Sequence, residues 1–591
     1  MFELIWKNRN FLLVFLILAL FAVQGSPYRF ADGNNGRYLP TLYRSMEPSL
    51  FPNDPVVDSF ARFNSLFYTG IGSLLGWLQV SLLQVKVVFW GLYILTKLAL
   101  MGLVYFLVRT IRQEIGVFLL LGAWAVHQKA ASVGGDSMFA PSLTHATLAV
   151  LLGIAALAFL LQQKPFWFWM ILSFSLFIHS LITLHLVMMV VPVILLQERA
   201  KLSKPTMSGM ILFGLAFLAY WLWMTPPPFS AEEARLFLAV KGSMAHIAPQ
   251  AQTVLGWVSM VGRVVLAWLV YRSLLAGQKA FDSLAGFMLA GSLLASLLGL
   301  AATFSGNLQL TQFQPMRMFE WVNFLVFILL TCAGIRIWQK DRLLSALLLV
   351  VVLLNILDSL WGLTGLYLAI AGFLARWLSG RWPRLAFLST PNLLLLGYVL
   401  LALASLGMWT LGDFHDFDSF RDPFPVLVIL FILPLAWIPI EKATWRYGLL
   451  AIALFAALLG RSLYVYEYIA VRQDADFDAV CRWIALNTRD DARFITTLST
   501  DNPGNFRARA LRTTLNESQS ALYWVDPLIG LENGEMSQRV QSTWDGQFWD
   551  VNTLFVFVQD WNATYILLEG DFLPEMPAVY QQGNYHVLAV P

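Results

Sequence analysis

Two acidic residues lie in one polar connection near the start of the chain, residues 26–64. Asp32 stands in Ala-Asp-Gly-Asn-Asn-Gly-Arg-Tyr, and Asp54 stands in Phe-Pro-Asn-Asp-Pro. A carboxylate in such a loop can act as a general base or bind a divalent cation, and Gly33 and Gly36 let the backbone approach a ligand closely. The same residue types also favour ordinary turns. Catalysis and a simple turn are therefore both open interpretations of the Asp32 segment.

The composition places the chain among integral membrane proteins. Its 591 residues are 58% hydrophobic and 13% charged, with 23 Trp and 44 Phe, which excludes an ordinary soluble globule. The formal net charge of +3 is spread out, so no basic surface for nucleic acid is predicted. The two cysteines, Cys332 and Cys481, lie far apart and predict neither a disulfide framework nor a cysteine metal site.

Apolar segments of the length that crosses a bilayer, about 20 residues, recur along the chain. The runs 166–196 and 343–378 are too long for one crossing, so we divide them near His179 and Asp358, where polar residues tolerate a break. An uncleaved first helix at 11–23 completes a membrane domain of about fifteen transmembrane helices. The remaining predicted spans are 87–108, 115–127, 144–161, 207–224, 254–271, 283–304, 319–338, 392–411, 426–440 and 447–459.

Lysine and arginine collect on alternate connections, which predicts the side of the membrane that each connection occupies. With a cytoplasmic N-terminus, the short basic connections are cytoplasmic, and the 26–64 loop and the C-terminal tail are extracytoplasmic. The outer connections are also longer and more acidic. We therefore predict a multi-pass protein of a bacterial-type inner membrane, with its function on the outer face.

The chain changes character beyond about residue 466, which divides it into a membrane domain, 1–465, and a tail, 466–591. The tail is long enough for a small domain with its own core. Its patterns predict a small extracytoplasmic α/β domain with an amphipathic helix at 471–487. Strands are predicted at 494–498, 554–558 and 565–568, and a terminal hairpin at 580–590.

The segment that follows the first loop, residues 65–82, is apolar and rich in glycine, which is typical of a helix lying in the membrane interface. The predicted order of segments is therefore a first helix, an acidic loop, an interfacial helix and a second helix. This order, with Asp32 just after the first helix, resembles the GT-C superfamily of membrane glycosyltransferases. The likeness extends to His179, His246, the Gln-Pro-Met-Arg317 segment and the small outer C-terminal domain.

The resemblance implies transfer of a sugar from a polyprenyl-phosphate or polyprenyl-diphosphate donor on the outer face of the membrane. Asp32 would be the central acidic residue, acting as base towards the acceptor or as a metal ligand, and Asp54 would assist. The chain has Asp-Gly where the superfamily commonly has paired acids, which leaves dependence on a divalent cation open. The acceptor, whether glycan, lipid or protein, is unknown.

Cationic and polar side chains near the outer surface are candidates for binding the substrate. Arg317 begins a late span and suits a lipid phosphate, because a planar guanidinium matches phosphate oxygens. A pair with Glu320, or snorkelling of the side chain to the surface, is the alternative. Arg37, Tyr38 and Arg44 share the acidic loop, where the arginines can also simply neutralise the acids.

Histidines and two deeper cations give further candidates. His246 lies in an outer connection, and His179 lies at the break in a long apolar run, where a substrate role competes with hydrogen bonding between helices. Lys97 and Arg263 fall near the middle of predicted spans, where a charge is costly. Each of these cations either belongs to a buried ion pair or contacts a lipid phosphate.

Two other functions remain open. A flippase for lipid-linked saccharides or a secondary transporter would use the polar loops as gates, and the deep cations favour it mildly, although no internal repeat is evident. A transferase similar to O-antigen polymerases would place its arginines in a large late outer loop, whereas the largest interior outer loop here comes first. The chain has no GxxxxGK[ST], HExxH or GxSxG motif, which disfavours soluble nucleotide-driven catalysis.

Overall fold

The computed structural model describes most of the first three fifths of the chain and most of its C-terminal part. The first apolar stretch, Asp32, His246, the segment 115–127 and the predicted spans beyond 391 lie outside the described residues. The described residues are 28, 30–31, 33–62, 65–111, 143–198, 202–224, 228–242, 244, 247–337, 340–341, 344–345, 348–349, 351–352, 366, 369–374, 475–498, 506–516, 522–544, 548–570, 572–573 and 577–590.

The described part before residue 340 is helical throughout. Its helices are α1 (Gly33–Met46), α2 (Pro55–Arg62), α3 (Leu66–Trp77), α4 (Val85–Ile111), α5 (His145–Leu161), α6 (Pro165–Ile178), α7 (Ser180–Gln197), α8 (Lys204–Met224), α9 (Ala231–Lys241), α10 (Val254–Val270), α11 (Lys279–Ser305), α12 (Leu308–Gln312) and α13 (Met318–Ile337). Shorter helical turns occupy Leu82–Gln84, Pro249–Ala251, Tyr271–Leu275 and Pro315–Arg317.

Six helical segments among the described residues are long and apolar enough to cross a membrane, so the chain is an integral membrane protein. The predicted count of about fifteen is not confirmed, since several predicted spans fall outside the described ranges. The helices α5 and α6 are apolar but shorter. The six segments are Leu82–Val108, Ser180–Gln197, Lys204–Leu222, Gly256–Leu275, Lys279–Ser305 and Leu308–Ile337.

The last of these segments forms the centre of the helical bundle. Of its most apolar window, 94% is buried, whereas only 17% is buried in the Lys204–Leu222 segment, which therefore lies at the periphery. Helix α13 packs against α10 and α11. The residues at its N-terminal end are consequently held from several sides.

The predicted division of the first long apolar run at His179 is confirmed. Helix α6 ends at Ile178 and α7 begins at Ser180, with His179 between them in an extended conformation, φ −154° and ψ 96°. The His179 ring nitrogen Nδ1 accepts a hydrogen bond from the Ile182 backbone N–H at 3.5 Å. A polar N-cap satisfies a backbone donor that the new helix would otherwise leave unpaired.

The described residues of the first loop form helices, and the two interpretations of Asp32, which lies outside those residues, stay open. Gly33 and Gly36 belong to α1 and do not form a tight turn. Helix α3 crosses α1 closely at Gly72, where an added Cβ would lie 2.6 Å from the Leu42 carbonyl oxygen. At 12 residues, α3 is about 18 Å long, too short to cross a bilayer. Its predicted place in the interface stays a prediction.

The C-terminal region, residues 475–590, contains a five-stranded sheet in the order β2-β1-β4-β7-β6. Strand β1 runs parallel to β2 and β4, whereas β7 is antiparallel to β4 and β6. The region consists of α14 (Ala475–Asn487), β1 (Arg493–Thr496), α15 (Phe506–Ala510), β2 (Thr513–Thr514), α16 (Leu522–Val525), α17 (Pro527–Gln541), β3 (Trp549–Asp550), α18 (Val551–Trp561), β4 (Tyr565–Glu569), β5 (Phe572–Leu573), β6 (Tyr580–Gln582) and β7 (Tyr585–Ala589).

Four of the predicted elements in this region are present, and one was wrong. The amphipathic helix, the strands near 494 and 565 and the terminal hairpin are confirmed, and Gly583 makes the hairpin turn with φ +55°. The strand predicted at 554–558 is instead part of α18. Its buried residues Leu554, Phe557 and Val558 follow the i, i+3, i+4 spacing of a helix face. Asp550 caps that helix by accepting from the Thr553 backbone N–H.

The C-terminal region packs directly on the first loop. Helix α15 contacts α1, and α16 contacts α2. Val56 and Phe60 form a small apolar cluster with Val525. The loop is therefore enclosed between the bundle and the C-terminal region, which gives it a defined shape despite its polar sequence.

Candidate functional site

Four aromatic side chains from different elements meet at one end of the bundle, and we call them the Tyr–His cluster: Tyr38, Tyr68, His145 and His179. The Tyr38 and Tyr68 rings stack with centroids 5.1 Å apart, and the His145 and His179 rings stack at 4.6 Å. The edge of His145 meets Tyr38 at 4.8 Å and Tyr68 at 5.4 Å. The first loop, α3 and the start of α5 therefore converge on the break between α6 and α7.

Helix ends position this cluster. Helix α5 begins at His145 because Thr144 caps it, accepting a hydrogen bond from the Thr147 backbone N–H at 3.3 Å. The Ser65 hydroxyl, at the start of α3, donates to the Ile178 carbonyl oxygen at 2.9 Å and so ties α3 to the break beside His179. The His145 Nδ1 atom is buried without a hydrogen-bond partner in the described part of the chain.

Arg317 lies near the cluster on a fifth segment. It ends the short turn Pro315–Arg317, which Gln314 enters in the left-handed region with φ 50°. The ring nitrogen Nε2 of His185 is hydrogen bonded to the Phe313 carbonyl oxygen at 2.9 Å, so α7 holds this turn in place. Arg317 lies within electrostatic range of Tyr38 and of all three histidines named here.

Two further cations lie in this region, Arg37 beside Tyr38 and Lys241 beside Arg37. Burial raises the pKa of the Tyr38 hydroxyl, and the positive charges of Arg37 and Arg317 oppose that rise. Burial, together with the charge of Arg37, lowers the pKa of Lys241 to about 8. Lys241 ends α9, and its Nζ lies 5.6 Å from the centre of the Tyr523 ring. Arg37 and Arg317 thus create a positive potential at Tyr38, and Lys241 extends it beyond Arg37. Such a potential is suited to a phosphate group.

Asp54 is held by partners outside this arrangement of charges. Its carboxylate is fully buried and accepts hydrogen bonds from the Val56 and Val57 backbone N–H groups at 3.0 and 3.2 Å. The other oxygen accepts from Arg507 Nε at 2.9 Å. Both oxygens are therefore engaged in holding α2 and the C-terminal region together. The assisting catalytic role of Asp54 stays a prediction.

Arg44 is engaged within its own loop. It forms an ion pair with Asp58 and donates to the carbonyl oxygens of Leu50 and Phe51. These contacts close the turn between α1 and α2, which is the neutralising role left open for Arg44. Of the other predicted binding residues, Arg37, Tyr38, His179 and Arg317 come together, whereas Asp32 and His246 lie outside the described residues.

A metal ligand set is not evident in the part of the chain that the structure describes. No three His, Cys, Asp or Glu side chains within those ranges gather closely enough to hold an ion. Asp32, the predicted ligand, is not among the residues searched. Dependence on a divalent cation therefore stays open.

The two deep cations are buried without a carboxylate partner among the described residues. Lys97 is 1% exposed and its Nζ lies 5.1 Å from the centre of the Tyr93 ring. Arg263 is 2% exposed and donates to the Asn323 side-chain oxygen at 3.3 Å. Within the described ranges, the ion-pair alternative is not found for either residue.

Three members of the site were not predicted from the sequence: Tyr68, His145 and Lys241. His145 follows a threonine at the start of an apolar run, which is a recognisable helix start. Lys241 ends a helix that opens with a capping box, Ser230 and Glu233. These signals locate helix ends, but they carry no information on which ends meet.

No family model matches the chain, and no curated protein matches it. Two solved structures are similar to it, both of ArnT from Cupriavidus metallidurans, one in the apo state and one bound to undecaprenyl phosphate. Both are 14% identical with a TM-score of 0.43; the first match covers 99% of this chain and 98% of that chain, and the second covers 98% of each. No residue role in this chain follows from so distant a likeness.

Proposed function

We propose that this protein is a membrane glycosyltransferase that takes a sugar from a polyprenyl-phosphate or polyprenyl-diphosphate donor. The observation that carries the proposal is the convergence of Arg37 and Arg317 on Tyr38, with Lys241 beside Arg37. The convergence occurs beside the N-terminal end of α13, where a long span begins. A lipid phosphate could lie there with its polyprenyl chain in the bilayer.

The chemistry assigned to this site is a displacement at the anomeric carbon of the sugar. The acceptor oxygen forms the new bond to that carbon, the bond to the phosphate oxygen breaks, and its electron pair stays on the phosphate. Arg37, Arg317 and Lys241 stabilise the negative charge that the departing phosphate gains. The acceptor proton passes to a base, for which Asp32 remains the proposed residue.

The Tyr–His cluster forms the wall beside these cations. Tyr38 is a partly exposed member of the cluster, and its ring offers an apolar surface beside the cations for a sugar ring. We place the reaction on the membrane face that carries the C-terminal region. We propose that face to be the outer one in a bacterial-type inner membrane.

A flippase or transporter for lipid-linked saccharides is the second candidate function. Its supporting observation is the burial of Lys97 and Arg263 in spanning helices with no carboxylate partner in the described part of the chain. Such cations could contact a phosphate that moves between the leaflets. The transferase is preferred, because Arg37 and Arg317 act together on Tyr38 and Lys241 lies beside Arg37, whereas Lys97 and Arg263 lie singly within their helices.

Binding of undecaprenyl phosphate to the purified full chain tests the proposal. We expect Arg317→Ala to weaken binding at least tenfold, since a charged hydrogen bond contributes about 1.5–3 kcal/mol. Arg317→Lys should retain part of the affinity, because it keeps the charge but loses the fork geometry. Arg272→Ala removes an exposed arginine from the turn Tyr271–Leu275 and serves as the control. Equal affinity for all four proteins would refute the phosphate role.

Transfer itself needs a separate measurement. Loss of the dependent surface glycan in an Asp32→Ala strain, with normal insertion of the protein, is the expected result. Normal glycan in that strain, together with loss of lipid movement in Lys97→Met and Arg263→Met variants, would favour the flippase instead.

A further inference from the structure

A cavity of about 290 Å³ opens at the start of α4, where the first loop and the C-terminal region meet the bundle. Its volume is near the lower end of the range for small-molecule sites, about 300–1,000 Å³. None of its lining residues belongs to the Tyr–His cluster or to the cations around Tyr38. The cavity is lined by Tyr28, Phe30, Lys86, Val87, Trp90, Asp478 and Arg509.

The charged side chains of this cavity carry one net positive charge. The Asp478 carboxylate pairs with Lys86 Nζ at 3.4 Å and with the Arg509 guanidinium, so two cations share one anion. The Lys86 side chain is 61% exposed. Because an ammonium group has three N–H donors, Lys86 can bind an anion while it keeps its contact with Asp478.

The wall that α4 contributes is apolar and faces outwards. Val87 is 66% exposed and Trp90 is 50% exposed, and Leu83 in the preceding helical turn continues the same exposed side. A Cβ added at Gly91 would meet nothing within 4 Å, so open space lies beside Trp90. Exposed apolar side chains on a spanning helix face lipid, and a tryptophan near its end is typical of the interface.

We propose that this cavity binds the head group of an anionic diacyl phospholipid from the leaflet on the side of the C-terminal region. Lys86 donates to the phosphate, Arg509 adds its charge, and an acyl chain follows α4 past Val87 and Trp90. Charge and shape both favour an amphiphile: a cationic rim lies above an apolar wall. The lipid would connect α4 to α14 and α15, and so fasten the C-terminal region to the bilayer.

Tyr28 separates this lipid site from the proposed donor site. Its ring lies 5.1 Å from that of Tyr93 on α4, and it interacts electrostatically with Tyr68 of the Tyr–His cluster. The lipid site is therefore adjacent to the proposed donor site but made of other residues. The lipid-site proposal does not depend on the glycosyltransferase proposal, and either can fail without the other.

The test is native mass spectrometry of the full chain with phosphatidylglycerol, phosphatidylcholine or undecaprenyl phosphate as the probe. We expect phosphatidylglycerol to bind more tightly than phosphatidylcholine. Lys86→Gln should weaken phosphatidylglycerol binding about fivefold, the effect of one lysine at a lipid surface, and leave undecaprenyl phosphate binding unchanged. Lys204→Gln, which removes an exposed lysine at the start of α8, is the matched control.

A second substitution, which changes the net charge of the cavity in the opposite direction from Lys86→Gln, excludes a merely structural effect. Asp478→Asn raises the net charge of the cavity, so we expect it to tighten phosphatidylglycerol binding by a similar factor, with melting temperatures measured in parallel. Equal affinity for the two phospholipids would overturn the proposal. So would an unchanged affinity in Lys86→Gln, or a loss that affects undecaprenyl phosphate instead.

Discussion

Asp54 and Arg507 form a buried ion pair between the first loop and the C-terminal region, 453 positions apart in sequence, with 2.9 Å between Oδ2 and Nε. Their side chains are 0% and 2% exposed. Asp54 also caps α2, and Arg507 donates to the Thr514 carbonyl oxygen beside β1. The pair therefore joins the loop that carries Arg37 and Tyr38 to the sheet of the C-terminal region.

Removing one member of this pair should destabilise the junction strongly. We expect Arg507→Met to lower the free energy of unfolding by about 3–5 kcal/mol, because the buried Asp54 charge is left without its partner. Thermal unfolding and limited proteolysis between the C-terminal region and the bundle measure the effect. The double variant Asp54→Asn, Arg507→Met should recover part of the loss, since Asn still caps α2. If the double variant loses as much unfolding free energy as the two single variants together, the expected recovery is contradicted.

Gly72 should tolerate no side chain. Gly72→Ala places a Cβ 2.6 Å from the Leu42 carbonyl oxygen and 2.8 Å from the Ser45 Cβ, so α3 has to move away from α1. We expect a loss of about 1–3 kcal/mol and weaker undecaprenyl phosphate binding, because α3 carries Tyr68. The control is Gly102→Ala, where the added Cβ meets nothing within 4 Å. Similar melting temperatures for the two variants would argue against the close crossing.

The lowered pKa of Lys241 predicts that donor binding depends on pH. Because its pKa is lowered to about 8, it is charged below that pH and neutral above it. A phosphate monoester is already fully ionised there, with its second pKa near about 6. Affinity for undecaprenyl phosphate should therefore fall as the pH rises through and beyond about 8. In Lys241→Arg, which stays charged, titration calorimetry should show no such fall. The same pH profile in both proteins would remove Lys241 from the site.

His185 should position Arg317 without contacting the donor. His185→Phe removes the hydrogen bond to the Phe313 carbonyl oxygen, which is 2.9 Å long, while it keeps a ring of similar size. We expect undecaprenyl phosphate binding to weaken about threefold to tenfold, the value of one hydrogen bond of about 1 kcal/mol. In the Arg317→Ala background the same change should have no further effect. A full additional loss there would show that His185 acts independently of Arg317.

Local sequence patterns determined much of the secondary structure. The break at His179 follows from a polar residue able to cap a helix inside an apolar run, and the hairpin at β6 and β7 follows from Gln-Gly-Asn. Helix α18 was mistaken for a strand, because a short apolar segment fits both periods. Only its packing, with Leu554, Phe557 and Val558 on one buried face, distinguishes them.

By itself the sequence determined the membrane class, the polar first loop and its candidate residues, because hydropathy and residue type are local properties. Tertiary structure decided which of those residues meet. It joined Tyr38 to His145, His179 and Arg317, and it paired Asp54 with Arg507. Contacts between helix ends far apart in sequence depend on how the helices cross and pack, and no local pattern encodes that geometry.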